Sequence, residues 1–262
     1  MNDASRKYNV PGLERGLRIL QLFDRNHRVL TGAEVSRALK IPRTTAFRLA
    51  QTLERLGFLE REGDGYRIGP AVMRLGFEYI ASLEITELAR PVLERLRDES
   101  GFSTQLVVRD GRDVVVVLRA ASQSMFSSNV NIGTRFPVHA TILGRALLCD
   151  HTEEELAQLF PERALQSYSQ NTPKTVAELK SLLKEDRARG YVTSEGFFER
   201  GISAIAAPVR DQSGRIVAAV SITAQRPTLE PKDLRERLIR QVREAATELA
   251  HKLNYRPAEQ AA

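Results

Sequence analysis

Residues 43–56 carry polar side chains at helical spacing whose hydrogen-bonding groups could recognise a ligand. The outward set is Thr44, Arg48, Gln51 and Arg55, and the opposite, apolar set is Ala46, Leu49, Ala50, Leu53 and Leu56. Arginine pairs two donors with guanine O6 and N7, glutamine does the same with adenine, and threonine contacts a phosphate or a thymine methyl group. The pattern predicts a helix that lies on nucleic acid; a surface helix with an accidental basic bias is the alternative.

A second, shorter helix must precede that one and fix its angle. Thr31 is followed three residues later by Glu34, which is the pattern of a capping box. The helix ends near Lys40, and Pro42 suits the first turn of the next helix but cannot continue the previous one. The two helices and their tight turn therefore predict a helix-turn-helix over residues 31–57.

A hairpin follows the helix-turn-helix directly. Residues 58–61 and 66–69 are short β-rich runs on either side of a Gly-containing turn. Arg61 and Arg67 are placed to contact backbone phosphates, which positions a protein on DNA without reading its sequence. A purely structural hairpin is the alternative. The predicted nucleic-acid contacts are Thr31, Arg43, Thr44, Thr45, Arg48, Gln51, Arg55, Arg61 and Arg67.

Helices are also predicted on both sides of this module. Before it, Leu13, Leu17, Leu20 and Phe23 share one face and predict the first helix of a three-helix core. After it, a helical run extends from Pro70 towards Gly101, and its first part carries an apolar stripe. We expect that part to pair with its copy in a dimer; packing on its own domain alone is the other possibility.

The charge distribution separates this module from the rest of the chain. Residues 1–80 hold 14 Lys and Arg against 9 Asp and Glu, a net charge of +5, whereas residues 81–262 hold 25 against 24. A phosphate-binding module attached to a neutral module has this pattern. No run of 18 apolar residues and no apolar signal core occur, so a cytoplasmic protein without a membrane partner is expected.

The remainder of the chain predicts an α+β domain on an antiparallel sheet. Residues 104–109 and 113–119 are β-rich and joined by Asp110-Gly111, a hairpin signal. Further strands are predicted at 127–132, after Gly190, at 202–210 and at 215–224. Helices are predicted at 138–150, 153–160, 176–189 and from Pro231 onwards. The segment at 127–132 is the weakest of the strands.

The side chains that could support catalysis are not arranged for it. The four histidines, His27, His139, His151 and His251, lack metal-binding spacing, and the single Cys149 ends an apolar helical run, as a buried inert thiol does. No nucleophile elbow or phosphate loop occurs. We therefore predict no catalytic residues, no metal site and no cofactor, and expect His139 to be a hydrogen-bonded structural residue.

The sequence gives better support for a ligand cavity than for a catalytic site. Ser221 and Thr223 share one face of a hydrophobic strand, and Ser203 and Ala204 lie on its neighbour. Hydroxyl groups among alanines and valines suit a mostly apolar pocket with a few polar groups. Hydrogen bonding of each hydroxyl to nearby backbone is the alternative.

Five blocks in order resemble the IclR family of bacterial transcriptional regulators. They are GLERGLRILQLF, TGAEVSRALKIPRTTAFRLAQTLERLGFLER, YRIGPAVMRLG, GTRFPVHATILGRALL and GISAIAAPVRDQSGRIVAAVSITA. The resemblance implies a winged helix-turn-helix domain at residues 1–69, a linker helix at 70–84 and a GAF-like, profilin-like effector domain at 85–262. It also implies a homodimer or dimer of dimers that binds operator DNA under the control of a small metabolite.

The resemblance also implies where the effector binds. It places the effector between the helix after the Pro-x-His segment and the last two strands, at Ile142, Leu143, Gly144, Ser194, Ala204, Ser221 and Thr223. The sequence departs from the family pattern here. Ile142 and Leu143 stand where small residues are common, only Glu195 remains of an acidic pair, and the loop at 196–198 is aromatic.

These departures predict an aromatic or alicyclic carboxylate rather than a two- or three-carbon keto acid. The alternatives to a ligand-controlled regulator are a basic architectural DNA-binding protein without a ligand and an enzyme with an accessory nucleic-acid domain. The first of these would need positive charge throughout the chain, and the second would need a catalytic constellation.

Overall fold

The computed structural model describes residues 9–24, 26–122, 130–162, 164–195, 198, 201–224 and 229–256. The chain divides into two compact units, residues 1–82 and residues 83–262. No helix in the described ranges combines enough length with enough apolar character to cross a membrane.

The first unit contains helices and a small three-stranded sheet. The helices are α1 (Pro11–Gln21), α2 (Gly32–Leu39), α3 (Arg43–Arg55) and α4 (Ala71–Ser82), and the strands are β1 (Leu30–Thr31), β2 (Leu59–Glu62) and β3 (Gly65–Ile68). The antiparallel sheet has the order β1-β3-β2. This is the winged helix-turn-helix that the spacing of residues 31–69 predicts.

Local sequence explains the turn between α2 and α3. Thr31 Oγ1 accepts a hydrogen bond from the Glu34 N–H, and the Glu34 carboxylate accepts one from the Thr31 N–H at 2.8 Å, so the predicted capping box is confirmed. The Thr31 N–H and the Thr31 hydroxyl both donate to this carboxylate, which favours its ionised form and lowers the pKa of Glu34. At the other end Lys40 adopts a left-handed conformation with φ of 52°, and Pro42 then occupies the position before the first residue of α3.

The core of this unit differs from the prediction at α1. Ile19 is fully buried with Val35, Ala46, Ala50 and Tyr66, whereas Leu13 and Leu17 are exposed by 63% and 52%. Leu20 and Phe23 do pack against this core. The helix therefore turns one narrow face inward and leaves the predicted leucines at its N-terminal end outside.

The second unit is built on a six-stranded antiparallel sheet with helices on both faces. Its strands are β4 (Ser103–Asp110), β5 (Asp113–Ala120), β6 (Arg135–Pro137), β7 (Val192–Glu195), β8 (Ser203–Arg210) and β9 (Ile216–Ala224). The strand order is β6-β5-β4-β9-β8-β7. Its helices are α5 (Glu84–Ser100), α6 (Ile142–Leu148), α7 (Glu153–Leu159), α8 (Val176–Arg189) and α9 (Lys232–Lys252). The predicted α+β class is confirmed.

Alternation along the strands divides the core into two layers. On one face Leu106, Ile205 and Val220 pack with leucines of α5 and α9. On the other face Val107, Ala206 and Ala219 pack with α6, α7 and α8. Because successive strand residues point to opposite faces, neighbouring residues of one strand belong to different layers.

Three predicted elements differ from the helices and strands of the structure. The helical run from Pro70 is interrupted at Leu83, whose backbone is extended and precedes α5. The helix predicted at 138–150 begins only at Ile142, because Thr141 Oγ1 caps it by accepting from the Gly144 N–H at 3.1 Å. Of the strand predicted at 127–132, residues 127–129 lie outside the described residues and 130–132 are not a strand; the edge strand is β6.

Candidate nucleic-acid interface and ligand cavity

The outward face of α3 is exposed along its whole length. Arg43, Thr44, Arg48, Gln51 and Arg55 are all exposed, while Ala46 and Ala50 are buried beneath them. Thr45 is half-buried at the margin. Of the four predicted base-reading residues, Arg48, Gln51 and Arg55 have side chains without a hydrogen bond or ion pair to another described residue, so their donors remain available to an external acceptor.

Unlike these side chains, the Thr31 hydroxyl is already hydrogen-bonded within its own domain. Its hydroxyl accepts from the Glu34 N–H and donates to the Glu34 carboxylate at 2.8 Å. Any contribution of Thr31 to DNA binding therefore includes its part in fixing the start of α2.

The arginines of the β2–β3 hairpin are paired with acids of their own module. Arg67 donates from Nε at 3.0 Å and from Nη2 at 2.7 Å to the Glu60 carboxylate, and it lies 3.4 Å from Glu62. Arg61 lies 3.7 Å from Glu54 and its guanidinium covers the Tyr66 ring at 4.6 Å. These pairs are half-exposed, so they contribute little free energy and can exchange with another anion.

A cavity of about 100 Å³ lies on the sheet face below the start of α6. Its lining is mainly apolar with a few polar groups: Gln105, Phe136, Thr141, Ile142, Leu143, Ser194, Phe198, Ile202, Ala204 and Thr223. Phe136 and Phe198 meet edge to face with centroids 5.6 Å apart. An engineered apolar cavity of about 150 Å³ binds benzene, so the space is of the order that one ring occupies.

Five of the predicted effector residues come together in this lining: Ile142, Leu143, Ser194, Ala204 and Thr223. Register explains the convergence, because Ser194 pairs with Ala204 and Ala204 pairs with Thr223 across three strands. Directly opposed residues of antiparallel strands share a face.

Three other predicted residues are not part of the lining. Ser203 points to the opposite face of the sheet, beside Ile205, because its position in β8 is one away from Ala204. At Gly144 an added Cβ would lie 1.8 Å from the Val138 carbonyl oxygen, so this glycine serves the close approach of two backbone segments. Ser221 shares the face of Thr223 but is fully buried and is not among the lining residues.

Sequence reasoning missed Gln105, Phe136, Thr141 and Ile202. Gln105 is the residue with a detectable signal, because it is an amide within the β-rich run STQLVV and lies on the same face as Val107. Phe198 is the described member of the aromatic loop, whose Gly196 and Phe197 lie outside the described residues. Its ring also lies 5.3 Å from that of Tyr168.

The remaining candidate chemical groups are structural. His139 Nε2 is 2.9 Å from the Gln166 carbonyl oxygen and its ring meets Phe160 edge to face, as predicted for a structural histidine. Burial raises the pKa of the Cys149 thiol to about 12, so it is protonated at neutral pH. Among the described residues, no three His, Cys, Asp or Glu side chains group as metal ligands do.

Two domain families match almost the whole chain. Residues 12–63 match the IclR helix-turn-helix domain, and residues 77–251 match the bacterial transcriptional regulator IclR C-terminal domain. The HTH-type transcriptional repressor AllR of Salmonella typhi is 32% identical over 253 residues, covering 94% of this chain and 90% of that protein. The Pca regulon regulatory protein of Pseudomonas putida is 28% identical over 245 residues, covering 93% and 84%.

A solved structure has a similar fold. An IclR homolog from Microbacterium hydrocarbonoxydans, complexed with 4-hydroxybenzoate, superposes with a TM-score of 0.80 at 26% identity. The match covers 93% of this chain and 99% of that one.

Proposed function

Because this chain belongs to the IclR family of bacterial transcriptional regulators, we propose that α3 reads its operator and that an aromatic carboxylate controls it. Thr44, Arg48, Gln51 and Arg55 contact base edges, and Thr45 lies beside them. Arg43, Arg61 and Arg67 contact phosphates. The availability of the Arg48, Gln51 and Arg55 side chains supports this assignment.

The protein acts as a homodimer or dimer of dimers in the cytoplasm. Exposed apolar side chains of the first unit support self-association. Met73 of α4 is 75% exposed, and at least half of the surface is exposed at Leu13, Leu17, Leu75 and Tyr79. Surfaces of this kind are typical of interaction sites. A twofold dimer would present two copies of α3 to a palindromic operator.

The effector binds in the cavity on the sheet of the second unit. The observation that carries this part is the pairing of aromatic walls, Phe136 and Phe198, with polar groups of Ser194 and Thr223 in a space of ring size. The Microbacterium homolog that binds 4-hydroxybenzoate adds support. The effector shifts the operator-binding equilibrium only by its differential affinity for the two states of the dimer. We assign the protein no catalytic step.

Isothermal titration calorimetry of the full-length protein tests the effector class. We expect 4-hydroxybenzoate or benzoate to bind with one site per chain, and glyoxylate and pyruvate to give no heat. Binding of the keto acids alone would refute the aromatic assignment. Operator selection from random duplexes, repeated with and without the acid that binds, tests whether occupancy changes DNA affinity.

The two alternative functions, an architectural DNA-binding protein and an enzyme, predict different observations. An architectural protein would bind selected and random duplexes equally and would not respond to any small molecule. An enzyme would need converging catalytic side chains, and the described residues at the cavity offer hydroxyls, an amide and aromatic rings without a base among them.

A further inference from the structure

Gln105 is an unsatisfied polar side chain in the wall of the cavity. It is only 2% exposed, yet it lines the space together with Thr223 and Phe136. Its amide has no hydrogen-bond partner among the described residues. A buried amide without a bond loses free energy relative to water, so a ligand atom that completes its bonding is favoured.

The register of the sheet places two further polar residues in line with Gln105. Gln105 pairs with Ser221 on β9 and with Arg119 on β5. Since directly opposed residues share a face, all three point towards the cavity side of the sheet. The neighbours of Arg119, Leu118 and Ala120, pack on the opposite face, which confirms its direction.

Ser221 adds a second incomplete group. It is fully buried and its Oγ has no hydrogen-bond partner in the described part of the chain. Arg119 is half-buried, and burial lowers the pKa of its guanidinium without removing the charge at neutral pH. Gln105, Ser221 and Arg119 thus place an amide, a hydroxyl and a cation on the cavity side of the sheet, where the other groups are mainly apolar.

We infer that Gln105 is a specificity-determining residue of the effector cavity, which donates its amide N–H to an oxygen of the effector's carboxylate. Arg119 lies one strand further on and selects for negative charge at that end. The ring of the effector lies towards Phe136 and Phe198. This inference rests on the proposed function, because it assigns the orientation of an acid within the same cavity.

A charged probe and its neutral near-isostere separate the two roles. Titration of 4-hydroxybenzoate and 4-hydroxybenzamide into the wild-type protein should show tighter binding of the acid. Gln105→Leu removes a bond that both probes can accept, so both affinities should fall by roughly tenfold or more. Arg119→Met should weaken the acid by about tenfold and the amide by less than about twofold. Arg109→Met, which removes an exposed cation of β4, should change neither affinity.

Thermal unfolding without ligand distinguishes recognition from structure. Since the Gln105 amide has no bond to lose, the melting temperature of Gln105→Leu should equal or exceed that of the wild type. If Arg119→Met does not fold, Gln105→Glu provides the charge test, because a carboxylate there should reverse the preference in favour of the amide.

The outcomes separate the inference from the proposed function. Failure of the wild type to bind either probe overturns the aromatic effector and the inference together. Tight binding of the acid that Gln105→Leu leaves unchanged, or an acid preference that persists in Gln105→Glu, overturns the inference alone.

Discussion

Arg48 provides the sharpest test of the proposed DNA interface. The side chain is exposed on α3 and has no hydrogen bond or ion pair with a described residue, so Arg48→Met should leave the free energy of unfolding within about 0.5 kcal/mol of the wild type. Met keeps the length of the side chain and removes every donor. Any loss then belongs to DNA binding rather than to folding.

The size of the loss follows from the contact. A bidentate arginine to guanine contributes about 1–3 kcal/mol, and a dimer on a palindromic operator loses it at both half-sites. The total is therefore about 2–6 kcal/mol, which is at least roughly thirtyfold in Kd. Random duplexes should lose far less, because they gain only the sequence-independent part of the interaction.

Fluorescence anisotropy provides the measurement. Duplexes selected with the wild type and scrambled duplexes of equal length should be titrated at several salt concentrations. Arg15→Met is the matched control, since Arg15 is an exposed arginine on α1. Equal losses on both duplexes, with the slope of log K against log salt reduced by about one per site, would instead identify Arg48 as a phosphate contact.

Three further results are expected. Glu60→Gln removes the main partner of Arg67 and should strengthen binding to selected and random duplexes alike, with a steeper salt dependence; an unchanged slope would exclude Arg67 from the phosphate contacts. The buried Arg145 guanidinium donates to Asp186 at 2.7 and 2.8 Å. Asp186→Asn removes that negative charge and should lower the free energy of unfolding by about 3–5 kcal/mol in chemical denaturation; a loss below about 1 kcal/mol would contradict that role. Burial raises the pKa of Cys149 to about 12, so its thiol should resist thiolate-directed labelling at pH 8 in the native protein and react on unfolding. Because the folded pKa lies above the unfolded one, the contribution of this group to stability is present below pH 9 and is lost as the pH rises towards 12.

Local sequence was sufficient for features set within one element. The capping box of Thr31 and Glu34 needs only a spacing of three, and the two faces of α3 follow from the helical period. The main strands of the sheet follow from their β-rich runs and the turns between them. For these features the interacting groups lie within a few residues of each other.

Long-range pairing decided the remaining features. Ser203 and Ala204 are adjacent in sequence, and only the phase of β8 against β9 places one in the cavity and the other in the opposite layer. Gln105 and Ser221 are more than a hundred residues apart and meet through strand register. Strand register acts in the hairpin too, where it places Glu60 opposite Arg67 and so gives that predicted phosphate ligand an acidic partner.

The sequence by itself therefore determined the class of the protein and the residues that α3 presents. Tertiary structure alone decided which hydroxyls reach the cavity, that an amide completes its wall, and that Ile19 rather than Leu13 or Leu17 enters the first core. The physical reason is that a one-residue change of strand phase or a small rotation of a helix moves a side chain to another layer without altering the local pattern.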